Sequence, residues 1–457
     1  MDFDSGQSAQ LLIAMLAAAL LFILSYNLPE RIVIGLLILL IPFQLILSRY
    51  GSLNMVFTYV VGLAFLMKGS MKMFPLFGVV AAIAGIYLLS MLNSPSGAWT
   101  DQFFYLISIG SNFVLFYLVY NHFFRHPNYR YALELLVRMN VLFVIYGFIQ
   151  ITIGFEQFAF LGIGEWELEQ NLEGKQRLVG AFRTPGVNAE YIAMQILVFG
   201  YLLMQKEGIM RKTFLLGLLL ANFGLLVASG SRGSFLVLLG GLALFLWFFR
   251  RELGIVKILL NSLVGFCILG MVAVAVVSYT EFNVLFERLE NTELEGMVPD
   301  TRVDAFRLVA EEIPNSVLIG HGPRLRLIGD GTGDRYIRDR TVVPYPHNLY
   351  LFLLFTVGVE GLLAYLWFFG GLAWRYIKAS RFRARGIEPV HRNLPRLGLL
   401  LLIVFLVDQL KIEFLRAELG DMQHFLFASW AMFLAFSDGL RDERVRARVG
   451  NYAFAAR

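Results

Sequence analysis

Apolar runs long enough to cross a membrane recur along almost the whole chain, from Leu11–Leu24 near its start to "HFLFASWAMFLAF" at residues 424–436. An α-helix needs about 20 apolar residues to cross ~30 Å of hydrocarbon, and lipid offers the backbone no hydrogen bonds, so runs of this length must form helices. With 58% hydrophobic and 16% charged residues among 457, and a mean hydropathy of +0.65, the chain has far more apolar surface than a water-soluble globule can bury. The sequence therefore predicts an all-α polytopic membrane protein. Its spans are spread evenly, so residues 1–457 are expected to form one integral membrane domain without a separate soluble one.

Polar punctuation divides the runs into about 12–13 candidate helices, centred near residues 18, 40, 60, 83, 113, 143, 197, 221, 241, 267, 358, 403 and 430, of which the third is the weakest. The N-terminal "MDFDSGQSAQ" has no basic residue, so the first run is expected to be a retained span and not a secretory signal. Basic residues near span ends stay on the cytoplasmic side. Lys68 and Lys72; Arg125 and Arg130; Lys206, Arg211 and Lys212; Arg250, Arg251 and Lys257; the 375–396 stretch; and the 439–457 tail fall on alternate connections. That face is expected to be cytoplasmic, with a basic loop at 375–396 and a basic tail at 439–457. Residues 154–187, the long segment 281–346 and the turn "ASGSRGS" at 228–234 then lie outside, with the N-terminus. The cations behind the net charge of +5 are thus topology determinants, and no nucleic-acid partner is expected.

The external face has its own chemistry. Segment 281–346 carries eight arginines, twelve acids and no lysine. A solvated loop has no reason to prefer guanidinium over ammonium, whereas bidentate recognition of phosphate or carboxylate does; pairing with the acids is the competing explanation. Arg232 lies in a tight turn among Gly230, Ser231, Gly233 and Ser234, at a bilayer edge where charges are placed for a partner or a ligand, or else snorkel to water. Gly-rich backbone ahead of a helix N-terminus is also an anion cradle. Arg183, in "GAFRTPGVNAEYIA", follows Lys175 and Arg177 before the seventh span. Within the long segment, "DTRVDAFRLVAEEIP" reads as an amphipathic helix capped by Thr301 and Asp304, with Pro314 after its last turn.

His347 follows Pro344 and Pro346 and precedes Asn348, which predicts an imidazole in the first turn of a helix at the external surface. There the helix dipole and nearby arginines favour a neutral ring able to accept a proton, which suits a base for a hydroxyl nucleophile. An interfacial anchor is the bland alternative. Asp408, Lys411 and Glu413, at the external end of the twelfth span, read as a charge pair or an acceptor contact. With one cysteine, Cys267, and neither an HExxH motif nor paired histidines on the external face, no metal site or cofactor is expected.

Three pieces, in order, carry a family resemblance: "GAFRTPGVNAEYIA", "ASGSRGSFLVLLGG" and "PHNLYLFLLFTVGVEGLLAY", with "TRVDAFRLVAEEIPNSVLIGHGP" before the third. The chain resembles the O-antigen ligase and O-antigen polymerase superfamily of bacterial inner-membrane glycosyltransferases, over about residues 175–370. The resemblance implies transfer of a glycan from undecaprenyl diphosphate to an acceptor sugar hydroxyl, on lipid A core or another glycan, at the periplasmic face and without metal. It implies His347 as base and Arg183, Arg232 and Arg302, with Arg324 competing, as diphosphate ligands; Asn348 and Asp408 are expected to support the site or the acceptor. Two other classes fit a polytopic bundle with cations. An anion transporter would place its charges near the midplane in two repeated halves, and no repeat relates 1–228 to 229–457. A structural envelope subunit would tolerate lysine for arginine.

Overall fold

The computed structural model describes residues 5–43, 46–48, 51–94, 99–153, 177–182, 184–205, 207–253, 270–271, 274, 294–295, 298–299, 306–307, 309–311, 313–323, 346–382, 389–415 and 420–442. Among the described residues, twelve helices of ten residues or more follow one another: α1 (Ser5–Asn27), α2 (Glu30–Leu39), α3 (Leu53–Met67), α4 (Phe77–Leu92), α5 (Trp99–Arg125), α6 (Tyr129–Ile153), α7 (Pro185–Leu203), α8 (Ile209–Ser229), α9 (Arg232–Leu253), α10 (Leu349–Arg381), α11 (Pro389–Asp408) and α12 (Gly420–Gly439). Two short antiparallel ladders, Ile46–Ser48 with Gly51–Ser52 and Leu294–Glu295 with Val298–Pro299, are the strands among the described residues. Among the described residues, six helices, α5 to α10, are long and apolar enough to cross a membrane by length and composition. The protein is an all-α, multi-pass membrane protein.

Eleven of the expected spans coincide with helices, and the second does so only in part. α2 has ten residues, about 15 Å at 1.5 Å per residue, or half of a bilayer's hydrocarbon. Pro42, just beyond its C-cap Leu40, removes the donor and the space a further turn would need. The candidate near residue 267 lies outside the described residues. The expected basic loop 375–396 is mostly helical: α10 runs to Arg381 and α11 starts at Pro389.

Burial sorts the helices. α12 is buried at every position from Asp421 to Ser437, and α7 from Val187 to Phe199; helices enclosed all round form the core of a bundle. α9 buries one stripe, Ser234, Leu238, Gly241, Phe245 and Phe249, at helical spacing, and leaves Leu236 and Trp247 exposed on its other face.

Cations gather at one end. Lys68 donates to the carbonyls of Ser25 and Leu28 (2.8 and 3.3 Å), tying the end of α3 to that of α1. Arg125 of α5 meets Glu30 of α2 at 2.6 Å, Arg375 of α10 meets Asp438 of α12 at 2.6 Å, and Arg396 of α11 meets Glu252 of α9 at 2.8 Å. Each contact joins termini that the alternating basic connections assign to one face. We call this the basic end.

α10 is interrupted. Gly358 has φ 68° and ψ −170°, outside helical geometry, and the backbone groups released around it are taken up by another segment. His321 and Gly322 amides donate to Phe355 and Thr356 carbonyls (2.8 and 2.9 Å), and Val359 donates to Val317 (2.9 Å). A Cβ at Gly358 would overlap the Leu318 carbonyl, so glycine is required by both conformation and space. The His321 ring stacks on Phe355, 4.7 Å between centroids, and the Ser94 hydroxyl donates to the His321 carbonyl at 2.6 Å. Residues 317–322 of the long segment are therefore built into α10, two to three turns below its start.

Candidate active site

Opposite the basic end, the starts of α7, α9 and α10 meet the C-terminal end of α11. α7 begins at Pro185 because Thr184 caps it, its hydroxyl accepting from the Val187 amide (3.4 Å), and proline at the first position needs no amide partner. α8 closes on Gly230, left-handed at φ 62°, and α9 opens two residues later at Arg232. Arg232 thus occupies the first turn of α9. The Arg177 side chain donates to the Ser229 carbonyl (3.1 Å) and the Leu178 amide to Ala228 (2.9 Å), laying the approach to α7 alongside this turn.

The helix that starts next to His347 begins at least two residues later than the prolines suggest. Asn348 is the N-cap, and its Oδ1 accepts from the Tyr350 and Leu351 amides at 2.9 and 3.1 Å. His347 precedes the cap, in the left-handed region at φ 49°, and is not in the first helical turn. A left-handed non-glycine residue costs roughly 1–3 kcal/mol and persists where its surroundings hold it. Here Pro346 before it is buried, and the cap after it is anchored twice to the end of α11: Asn348 Nδ2 donates to the Leu410 carbonyl (3.2 Å), and the Leu349 amide to the Gln409 carbonyl (3.0 Å).

That same α11 end reaches the other two helices. Lys411 Nζ lies 3.0 Å from Asp408 Oδ1 and donates to Ser234 Oγ, in the first turn of α9, at 2.6 Å. Its aliphatic stem packs on Gly233, where a Cβ would overlap it. Ser234 is also reached by the Ser231 hydroxyl at 3.1 Å. Gln409 donates through Nε2 to Glu190 Oε1 of α7 (2.9 Å) and accepts the Phe414 amide (2.9 Å). Glu190 also faces Asp408. Residues 408–411 are thus one bracket bonded to α7, to the Arg232 turn of α9 and to the His347–Asn348 start of α10.

Asp408, Glu190 and Glu413 are fully or almost fully buried, at 0%, 2% and 0% exposure. Carboxylates are not desolvated in this way unless partners or function hold them there. The charge pair expected of Asp408 and Lys411 is present. Sequence reading missed Glu190, although an acid inside the apolar stretch "NAEYIA" was the visible signal, and it did not anticipate that Gln409 would tie Glu190 to the α11 turn.

Of the residues singled out, the structure brings Arg232, His347, Asn348 and Asp408 to one end. Arg183, Arg302 and Arg324 lie outside the described residues, as do Thr301 and Asp304, the expected caps of the amphipathic helix. Its described part is helical at 306–307 and 309–311, with Val309 buried, and Pro314 comes after those residues, inside the 3-10 turn Ile313–Ser316. His424 is buried in α12 with Nε2 3.0 Å from Ser111 Oγ. No group of three or more potential metal ligands occurs among the described residues.

Residues 216–366, about a third of the chain, match the family model described as O-antigen ligase. The match supports the assignment of the chain to the O-antigen ligase and polymerase superfamily. It takes in Arg232, Arg302, Arg324, His347 and Asn348, and ends before the Asp408–Lys411 turn. No curated protein matches the chain.

Proposed function

We propose, from the O-antigen ligase match over residues 216–366, that this membrane protein transfers a glycan from undecaprenyl diphosphate to an acceptor sugar hydroxyl at the periplasmic face of the bacterial inner membrane. The basic end faces the cytoplasm by the retention of cations there, which turns the Arg232–His347 end to the periplasm. His347 takes the proton from the acceptor hydroxyl as it attacks the anomeric carbon of the donor, and the bond from that carbon to the diphosphate breaks. Arg232, with Arg183, Arg302 and Arg324, holds the diphosphate and neutralises the charge it gains on leaving, where fixed cations lower the barrier most. This reading assigns no step to a metal. Asn348 and Asp408 position the machinery, the first by capping α10 beside His347 and the second by fixing Lys411.

One observation carries this reading: the 408–411 bracket is hydrogen-bonded to both the helix that starts at Arg232 and the helix that starts beside His347. A base for one substrate and a cation for the other are thereby held by the same turn, as transfer between two bound substrates requires.

The test is deletion of the protein followed by gel analysis of lipopolysaccharide and carrier-linked polymer. The ligase form predicts loss of all long chains from lipid A core with the carrier-linked polymer intact. A single repeat unit left on the core means the polymerase form. Normal long chains in a His347→Ala strain that still accumulates the protein would sink the proposed role of His347.

A further inference from the structure

At the basic end, far from the bracket, the C-terminal ends of α9 and α10 and the first turns of α11 enclose a cavity of about 320 Å³. Among the described residues it is lined by Arg251, Glu252, Ser380, Arg392 and Arg396. It adjoins a second cavity of about 240 Å³, which shares Arg251, Ser380 and Arg396 and adds Arg250, Trp247, Phe248 and Leu399. The two halves differ in chemistry. Three guanidiniums against one carboxylate leave the first with two net positive charges, whereas the second carries an apolar wall.

Those charges are not used up locally. Arg396 is committed to Glu252 at 2.8 Å and to Asn393 at 3.3 Å, and Arg250 lies over the Trp247 ring, 4.0 Å from its centroid. Arg251 and Arg392 form no ion pair among the described residues. Cytoplasmic retention accounts for a cation at a span end, but an exposed lysine in a helix's first turn, such as Lys212 of α8, serves that purpose as well. It explains neither the guanidinium fork, whose geometry matches phosphate oxygens, nor a cavity between three helices. Trp247, 62% exposed on the outer face of α9, marks the depth at which amphipathic rings sit between headgroups and acyl chains.

We propose that this double cavity binds the headgroup of an anionic phospholipid, its phosphate between Arg251 and Arg392 and its glycerol and upper acyl chain against Trp247 and Leu399. Free phosphate would engage only the cationic half. A lipid engages both, and basic pockets between membrane helices are a recurring form of headgroup recognition. The site is independent of the transfer chemistry at the other end.

The experiment uses the full chain in detergent, with phosphatidylglycerol, phosphatidylcholine and inorganic phosphate as probes and bound lipid counted by native mass spectrometry. Wild type is expected to bind phosphatidylglycerol at least several-fold more tightly than phosphatidylcholine, with inorganic phosphate unable to displace it. R251Q/R392Q should weaken phosphatidylglycerol binding by roughly tenfold, and K212Q should leave it unchanged. Equal binding of the two lipids, displacement by inorganic phosphate, or an equal loss in K212Q each overturns the proposal. Should the double variant fail to accumulate, Trp247→Ala tests the apolar half: several-fold weaker lipid binding supports the site, and unchanged binding overturns it.

Discussion

The two ends of the bundle hold their charges in opposite ways. At the basic end the ion pairs are half-exposed; Arg125 and Glu30, for example, retain 30% and 19% of their side-chain surface. Exposed pairs of this kind contribute ~0–1 kcal/mol, because water already solvates both partners well. At the other end Asp408 is wholly buried and Lys411 retains 17%. There the cost of removing charges from water has to be recovered through geometry and hydrogen bonds. A chain that needed charges only to set its orientation would leave them in water, as the basic end does. The desolvated, mutually bonded set around residues 408–411 therefore fits the end where the proposed chemistry would use charge.

If that contrast is right, the largest effects belong to the two elements the bracket joins. Arg232→Lys keeps the charge but loses the planar fork, and His347→Ala removes the proposed base. A positioned general base contributes about 10²–10⁴-fold to rate, so each variant is expected to abolish long-chain surface glycan on a gel while membrane accumulation stays normal. Retained glycan in Arg232→Lys would mean that this end needs only positive charge, as the basic end does.

Lys411→Met comes next and probes stability. It leaves Asp408 buried without its cation, a change that costs roughly 3–5 kcal/mol; the expected outcome is a marked drop in the thermal unfolding midpoint in detergent. Adding Asp408→Asn should recover part of the loss, since the second change removes the stranded charge. Additive losses in that cycle would show that the two side chains are not energetically coupled.

Much of the fold was legible because hydropathy alone decides where helices lie in a membrane, and the alternation of Lys and Arg matches the termini that the structure joins. What escaped was set by neighbours. Nothing in "FTVGVEG" shows that α10 breaks at Gly358, because the break is stabilised by backbone groups of residues 317–322, distant in sequence. The prolines before His347 place it in the first helical turn, at least two positions too deep, because the helix is set instead by Asn348, whose side chain is among the best N-caps. The site's arginine and histidine were visible as residue types in suspicious settings, and the acids at 408 and 413 as unusual at their depth. That one turn would bind both the arginine's helix and the histidine's helix, and Glu190 besides, is a three-dimensional fact with no local signature.

A smaller effect is expected from Asn348→Ala. Loss of an N-cap costs about 1 kcal/mol, and the α10 start would also lose its tie to the Leu410 carbonyl. The protein should accumulate normally while glycan transfer falls, because His347 is held in its left-handed conformation partly by the cap that follows it. Wild-type glycan levels would show that the ring is positioned by contacts other than the bracket. Asn348→Asp, which preserves the side-chain acceptor for the Tyr350 and Leu351 amides, should restore the cap and most of the activity.

The smallest effect belongs to the basic end, and it is as informative as the largest. Arg125→Gln removes a guanidinium from Glu30, but the carboxylate keeps its hydrogen bond from Ser70 and lies 3.9 Å from His122 Nδ1. The pair is partly exposed and the carboxylate keeps these neighbours, so the change in stability should be about 1 kcal/mol, and glycan transfer should be unaffected. Remaining cations, among them Lys68, Lys72 and Arg130, still mark that face, so the orientation should hold when checked by the accessibility of a tail tag. A loss of transfer at normal accumulation would break the comparison, because it would mean that charge at the basic end reaches the chemistry and that the two ends are coupled through the length of α5.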